Sequence, residues 1–120
     1  MLFRSGRNIV PITGGRFEGP GIKGTVLPGG WDWQLERSDS CLQIKAEYFL
    51  KTDDGVVIAI TNTGVACKPE EGKPLAIRTH PVFEAPVGKY DWLNRATFIG
   101  TLVPDNGKVP AVRIGFYQVN

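Results

Sequence analysis

Apolar and polar residues alternate one by one along much of this chain, and a period of two predicts β-strands. The longest case is Cys41–Lys51, in which every second residue from Leu42 to Leu50 is apolar or aromatic. The residues between them are mostly polar, as in a strand with one buried face and one solvated face. We therefore expect this strand to form one wall of an antiparallel core.

A hairpin turn is predicted directly after this strand. Residues 52–55 read Thr-Asp-Asp-Gly, and Gly accepts the positive φ that a turn between two strands requires. The next stretch, Val56–Asn62, is apolar on both faces up to Thr61, which favours a central strand or one beneath an oligomer contact. Asn62, with Gly64 close behind it, predicts that this strand ends in a second turn.

Further β-prone stretches are separated by Gly- and Pro-containing turns, and no stretch keeps helical spacing over three turns. These stretches are Arg7–Thr13, Arg16–Glu18, Ile22–Leu27, Trp31–Arg37, Leu75–Ala85, Trp92–Val103 and Val109–Val119. A loop is predicted at 65–74 and a hairpin turn at 104–107. Pro81 predicts an edge, a bulge or a break in its strand, because proline donates no ladder hydrogen bond. About eight evenly spaced strands predict an all-β fold with little helix, a closed antiparallel barrel or a sandwich.

Length and composition limit the possible functions. A chain of 120 residues forms one domain, 1–120, by the usual size range. The net charge of +2 is interspersed along the chain, which argues against nucleic acid as a partner. There is no apolar run long enough for a transmembrane helix and no apolar region of a secretory signal. Cys41 and Cys67 lack metal-ligand spacing and predict two free thiols in the reducing cytoplasm, with a disulfide as the lesser alternative.

The order of several motifs resembles the DUF3237 family, small bacterial and fungal proteins of unassigned function. The motifs that carry the resemblance are Pro11–Pro20, Leu27–Gln34, Tyr48–Gly55, Asn62–Gly64, Arg78–Thr79, Phe83–Glu84 and Tyr90–Asn94. The resemblance implies an antiparallel β-barrel that is soluble and homodimeric, with no established cofactor. Two departures are expected: a shortened or absent strand before Pro11, and a short loop after Gly64 where the family carries a longer, Arg-bearing insertion.

Four residues of these motifs are predicted to be catalytic: Asp32, Tyr48, Glu84 and Asn94. Tyr48 and Asn94 place polar groups on otherwise apolar strand faces, where an unpaired group costs about 1–3 kcal/mol. Either they satisfy backbone groups internally or they point into a wet cavity. Together with a carboxylate from Asp32 or Glu84, they would polarise a carbonyl or a hydroxyl group, which suits proton transfer on a small, partly apolar molecule.

A second set of residues is predicted to bind the ligand: Trp33, Asn62, Arg78, Tyr90 and Trp92. Each has a structural alternative, since Trp33 alternates with Asp32 and would pack in the core or in an interface. Asp54 is expected to bond nearby backbone N–H groups in its turn. His80 is the only histidine and is expected at the surface, which leaves no metal-binding pattern.

Two functional hypotheses remain open. In the first, the chain is a small-molecule-binding β-barrel with cofactor-free acid–base chemistry of the lyase, hydratase or isomerase type. In the second, it is a non-catalytic binding or structural module that acts as a homodimer, and the same polar residues satisfy buried backbone groups. The glycine-rich segments do not connect a strand to a helix, and neither cysteine has the flanking sequence of a catalytic thiol.

Overall fold

The computed structural model describes residues 7–73, 77–105 and 111–119. They form nine strands: β1 Arg7–Ile12, β2 Gly15–Gly19, β3 Ile22–Val26, β4 Gly30–Glu36, β5 Cys41–Thr52, β6 Val57–Cys67, β7 Ile77–Glu84, β8 Thr97–Asp105 and β9 Ala111–Val119. A single turn of 3₁₀ helix, Asp91–Asn94, is the one helical element within these ranges. Every ladder is antiparallel, which confirms the all-β prediction. No described helix has the length and apolar character needed to cross a membrane.

The strands follow one path through a single sheet, in the order β1-β4-β5-β6-β7-β8-β9. The long β5 has two neighbours on one side, because its first half pairs with β4 and its last three residues pair with β3. The hairpin of β2 and β3 therefore extends the sheet beside the end of β5. Phe17 of β2 and Phe116 of β9 pack against the same core cluster, so the two ends of the sheet face each other across it. This curvature makes the sheet a β-barrel.

The apolar core is formed by inward-facing residues of β5, β6, β7 and β8 and of the segment that joins β7 to β8. The alternate residues of β5 point inward, as the sequence predicts, and Ile58 and Ile60 of β6 are almost completely buried. Phe83, Phe98 and Phe116 meet edge to face in the centre, with ring centroids 5.1 and 5.5 Å apart for the pairs that share Phe83. The other buried members of this cluster are Ala46, Tyr48, Leu50, Ala85, Tyr90 and Leu93.

The turn predicted at Asn62 is wrong, because β6 continues through it to Cys67. Asn62 lies opposite Ala46 of β5 on one side and Pro81 of β7 on the other. The backbone around Asn62 is therefore paired with a neighbouring strand on both sides. This pairing within the sheet outweighs the preference of Asn and Gly for turns. The predicted loop shrinks accordingly, since its first three residues, 65–67, belong to the strand.

The predicted strand Trp92–Val103 is wrong over its first five residues. Residues 91–94 form the 3₁₀ helix, and β8 begins only at Thr97. Asn94 therefore does not share a strand face with Phe98. Its side chain bonds both backbone groups of Ala85: the Ala85 N–H donates to Oδ1 over 2.6 Å, and Nδ2 donates to the Ala85 carbonyl over 2.9 Å. These two hydrogen bonds hold the 3₁₀ helix against the end of β7.

The prediction of two free thiols is also wrong, since Cys41 and Cys67 form a disulfide. The two residues are directly opposite each other at the end of the β5–β6 ladder, with Cα atoms 4.1 Å apart. The expectation of a reducing compartment rested on free thiols and loses that support. The extension of β6 beyond Asn62 is what brings the two cysteines together.

Two proline predictions have different outcomes. Pro81 stays in the β6–β7 ladder, whereas the β7–β8 ladder ends at Thr79, so Pro81 lies on a free edge of β7 as predicted. The hairpin turn predicted at 104–107 falls partly outside the described residues. Its first two residues, 104 and 105, are still paired with β9.

Candidate functional site

Strand β4 is turned the opposite way from what its aromatic residues suggest. Asp32 pairs with Ala46 and Gln34 with Ile44, so these polar side chains share the inner face of the barrel. Trp31 and Trp33 alternate outward and remain 45% and 43% exposed. Burial of the indoles would be favourable by the hydrophobic effect alone. A specific fit must therefore hold this orientation.

Gly30 provides that fit at the start of β4. A Cβ atom at this position would lie 2.5 Å from the Tyr48 Cβ and 2.6 Å from the Glu47 carbonyl oxygen, closer than real atoms approach. Only glycine allows the two backbones to come this near. As a result, Tyr48 lies beside Gly30 at the start of β4 and is a diagonal neighbour of Asp32 on the inner face.

Five of the polar side chains on this inner face form what we call the interior polar cluster: Asp32, Gln34, Tyr48, Asn62 and Thr79. Ala46 separates Asp32 from Asn62 in one row across the strands, and Gly64 lies beside Thr79 in the next row. Small residues thus occupy positions between the polar ones. Tyr48, Asn62 and Thr79 are only 7%, 2% and 5% exposed, and Asp32 and Gln34 are half-buried.

Three oxygen atoms of the cluster are buried without a hydrogen-bond partner among the described residues: Asp32 Oδ1, Asn62 Oδ1 and Thr79 Oγ1. The second oxygen of Asp32 accepts a hydrogen bond from Gln34 Nε2 over 2.9 Å, which fixes the direction of the carboxylate. Leaving a buried polar group unpaired costs about 1–3 kcal/mol, so native proteins rarely tolerate several together. Three such atoms on one inner face are an arrangement suited to a ligand that supplies the missing donors.

Tyr48 is the hydroxyl donor of the cluster. Burial of the phenol and, to a lesser extent, the nearby charge of Asp32 together raise the pKa of Tyr48 to about 12. The phenol therefore keeps its proton at neutral pH and can donate a hydrogen bond. No bond from it to another described residue is formed, so this donor is available to a ligand. A carboxylate acceptor and a protonated phenol side by side form an acid–base pair.

The other residues predicted from the sequence lie away from this cluster. Glu84, Arg78 and Trp33 are on the outer face of the barrel and are exposed. Asn94 is engaged with the Ala85 backbone, as described above.

Tyr90 and Trp92 also have structural partners. Tyr90 is buried, and its hydroxyl donates to Asp54 Oδ1 over 2.8 Å. Hydrogen bonds from Thr52 and then Tyr90 lower the pKa of Asp54 to about 2, so Asp54 ties its turn to Tyr90 as well as shaping it. Trp92 packs at an angle against Phe98, with ring centroids 6.2 Å apart.

The structure thus brings together three of the predicted residues, Asp32, Tyr48 and Asn62, and adds Gln34 and Thr79. Gln34 was recognisable in the sequence, because it alternates in step with Asp32 and must share its face. Thr79 carried no signal of its own beyond its place in a family motif. A surface depression of about 310 Å³ lies elsewhere, between the β2–β3 turn, the β5–β6 turn and Tyr90. Within the described ranges, no group of three acidic, histidine or cysteine residues could hold a metal ion.

Fold and cluster together define a small antiparallel β-barrel protein with a polar interior. Residues 4–119 match the family model described as a protein of unknown function, DUF3237, and the chain belongs to this family. A relative from Rhodopseudomonas palustris, a UPF0311 protein, is 38% identical over an alignment of 107 positions that covers 79% of this chain and 70% of the relative. The fungal hydroalkoxylation enzyme phnH of Penicillium herquei is 33% identical over 90 residues, covering 75% of this chain and 53% of that enzyme.

Solved structures agree with the fold. A β-barrel-like protein from Acinetobacter baumannii superposes with a TM-score of 0.81 at 34% identity, covering 93% of this chain and 77% of the other. An enzyme from Penicillium herquei superposes with a TM-score of 0.72 at 27% identity, covering 97% and 77%. The family and the barrel predicted from the sequence are therefore confirmed. The function of the bacterial relatives is not stated by their names.

Proposed function

We propose that the interior polar cluster binds a small molecule and catalyses the addition of a hydroxyl group across a carbon–carbon double bond conjugated to a carbonyl. The observation that carries the proposal is the unpaired, buried Oδ1 of Asp32 beside the protonated phenol of Tyr48. The similarity to a fungal hydroalkoxylation enzyme supports an addition reaction over other acid–base reactions. The reaction needs no external oxidant or reductant, since the O–H bond and the carbon–carbon π bond are replaced by one C–O bond and one C–H bond.

Each group has a defined part in this scheme. Asp32 takes the proton from the attacking hydroxyl, whose oxygen forms the new C–O bond at the carbon β to the carbonyl. The π electrons of the carbon–carbon double bond form a new double bond between the α carbon and the carbonyl carbon, and the carbonyl π electrons move to its oxygen, where the Tyr48 hydroxyl donates a hydrogen bond to the developing negative charge. The proton held by Asp32 then returns to the α carbon. Gln34 is a positioning residue, because its bond to Oδ2 aims the free Oδ1 at the substrate.

A ring-closing reaction tests this function. The probe is a chalcone with a hydroxyl ortho to its carbonyl and a second hydroxyl on its other ring, which cyclises slowly in water to a racemic flavanone. We expect the protein to accelerate closure and to produce one enantiomer in excess. Asp32→Asn and Tyr48→Phe should each lower the rate by at least tenfold, whereas Glu47→Gln on the outer face should not. A racemic product at the uncatalysed rate refutes the proposal for this class of substrate.

A second function, a homodimeric module, is supported by a separate surface. Ile9 pairs with Trp33 and Pro11 with Trp31 on the outer face, and these four exposed residues form what we call the β1–β4 patch. Contiguous aromatic side chains on a surface are typical of protein interfaces. We propose that two copies of the chain meet through this patch.

Sedimentation measurements test the dimer. Trp33→Lys should convert a dimer into a monomer, whereas Lys51→Ala, on the same outer face of the barrel, should leave the assembly unchanged. A wild-type chain that sediments as a monomer at high concentration rules the module out. The two functions are compatible, because the patch and the interior polar cluster occupy opposite faces of β4.

A further inference from the structure

The distribution of charge between the two faces of the barrel indicates which molecules the interior accepts. All positively charged residues of the described strands alternate outward and are exposed: Arg7, Arg16, Lys23, Lys45, Lys51, Arg78 and Arg113. On the inner face, the charged residues of the same strands are the acidic Asp32 and Glu36, which pair with Ala46 and Leu42. An anionic ligand would meet repulsion here and no compensating cation.

The hydrogen-bonding chemistry of the cluster adds a second requirement. Asp32 Oδ1 as a carboxylate and Asn62 Oδ1 can only accept hydrogen bonds, and Thr79 Oγ1 can accept as well as donate. All three are unpaired and buried. A ligand that satisfies them must therefore bring at least two donors. Two of the three acceptors are uncharged and lie among apolar side chains, where a buried charge on the ligand would be penalised.

The spacing of the acceptors sets the size of the ligand. Asp32 and Asn62 lie on either side of Ala46, two strand spacings apart, which is about 10 Å between backbones. Their side chains share the inner face with the small Ala46 between them, so a ligand whose two donors are separated by an apolar frame matches this row. The apolar residues next to the cluster, Ile44 and Ile77, offer contact surface to such a frame.

We propose that the interior polar cluster selects an uncharged molecule that carries two separated hydroxyl donors on a rigid apolar frame, and that it excludes carboxylates and phosphates. This inference rests on the proposed function in that it uses the same site. It goes further by assigning the substrate class: the attacking hydroxyl binds to Asp32, and a second hydroxyl, which takes no part in the reaction, binds to Asn62 and Thr79.

Binding of three matched probes tests the selectivity. The probes are a naphthalenediol with one hydroxyl on each ring, its dimethyl ether, and the corresponding hydroxynaphthoate. Calorimetry gives the affinity, and the nuclear magnetic resonance shifts of the β5, β6 and β7 amides give the place of binding. Tryptophan fluorescence is a poor reporter here, because Trp31 and Trp33 face outward.

We expect the diol to bind at the inner face at least tenfold more tightly than the ether or the naphthoate. In Asp32→Asn, the preference for the diol over the naphthoate should fall at least fivefold, a change that a purely structural role would not produce. Equal binding of all three probes at the inner face overturns the selectivity and leaves the binding site standing. If no probe shifts an inner-face amide, both this inference and the proposed function fail.

Discussion

Replacement of one buried hydroxyl should make the protein more stable. Thr79 is 5% exposed, and its Oγ1 has no hydrogen-bond partner in the part of the chain that the structure describes. Thr79→Val keeps the shape of the side chain and removes the unpaired group, which relieves about 1–3 kcal/mol. The new methyl group is larger than the hydroxyl and presses on Gly100, whose Cα faces Oγ1 closely, so part of this gain is lost. We expect a net gain in the free energy of unfolding of about 1 kcal/mol.

The matched control is Thr52→Val. Thr52 is 3% exposed, but its Oγ1 accepts a hydrogen bond from the Val56 N–H over 2.8 Å and lies 3.3 Å from the Val56 carbonyl oxygen. The same substitution here leaves the Val56 N–H without its partner and also removes the hydrogen bond to Asp54, at a cost of about 1–2 kcal/mol. The two variants should therefore differ by about 2–3 kcal/mol and in sign.

Urea unfolding followed by circular dichroism measures both variants against the wild type, with linear extrapolation and equal slopes as the check on two-state behaviour. If Thr79→Val destabilises the protein as much as Thr52→Val does, the hydroxyl has a partner in the free protein. The central premise, a set of unpaired acceptors held for a ligand, would then be wrong. Stabilisation together with weaker binding of the naphthalenediol would show that the site is maintained at the expense of stability.

Three further outcomes can be measured on the same protein. Gly30→Ala should lower the free energy of unfolding by at least about 2 kcal/mol, because the new Cβ would collide with the β5 backbone. In the control Gly19→Ala, the new Cβ makes an ordinary contact with Ile22 at 3.7 Å, so thermal unfolding should be nearly unchanged. The pKa of Tyr48 is about 12 in the folded state against 10.0 in the unfolded state, so the folded state holds this proton more tightly. The free energy of unfolding should therefore fall by about 2–3 kcal/mol as the pH rises from 10 towards 12. Chemical unfolding at each pH should show that Tyr48→Phe lacks this part of the pH dependence. Reduction of the Cys41–Cys67 disulfide, which closes a loop of sequence separation 26, should cost about 3.5 kcal/mol by chain entropy. An equal unfolding free energy with and without reductant would contradict this value.

Local signals in the sequence predict the β5–β6 hairpin well. Its Asp-Gly turn and its alternating pattern act on neighbouring residues, so no knowledge of the rest of the fold is needed. The same hairpin contained information that the prediction did not use. Cys41 and Cys67 lie at equal distances from Asp54, so the ladder register set by the turn places them opposite each other if β6 is long enough. Because Asn62 favours turns, the prediction ended β6 there and missed its extension to Cys67.

Tertiary contacts decide the features that the sequence did not predict. The strand pattern around Asn94 is ambiguous by itself, and its bonds to the Ala85 backbone, nine residues earlier, determine that it belongs to a helical turn. The orientation of β4 is a similar case. Alternation shows that Trp33 and Asp32 face opposite ways, but it does not show which of them faces the core. Only the pairing with Ala46 settles that question.

The inverted strand β4 has a consequence for folding. A slip of its register by one residue would exchange its two faces, which would bury Trp31 and Trp33 and move Asp32 to the solvent. The hydrophobic effect favours this slipped pairing, so the sequence of β4 is locally frustrated. The close contact of Gly30 with Tyr48 opposes the slip, because a tryptophan moved into the place of Gly30 would collide with β5. A glycine without a side chain thus protects the chain from a misfolded state that its own tryptophans would stabilise.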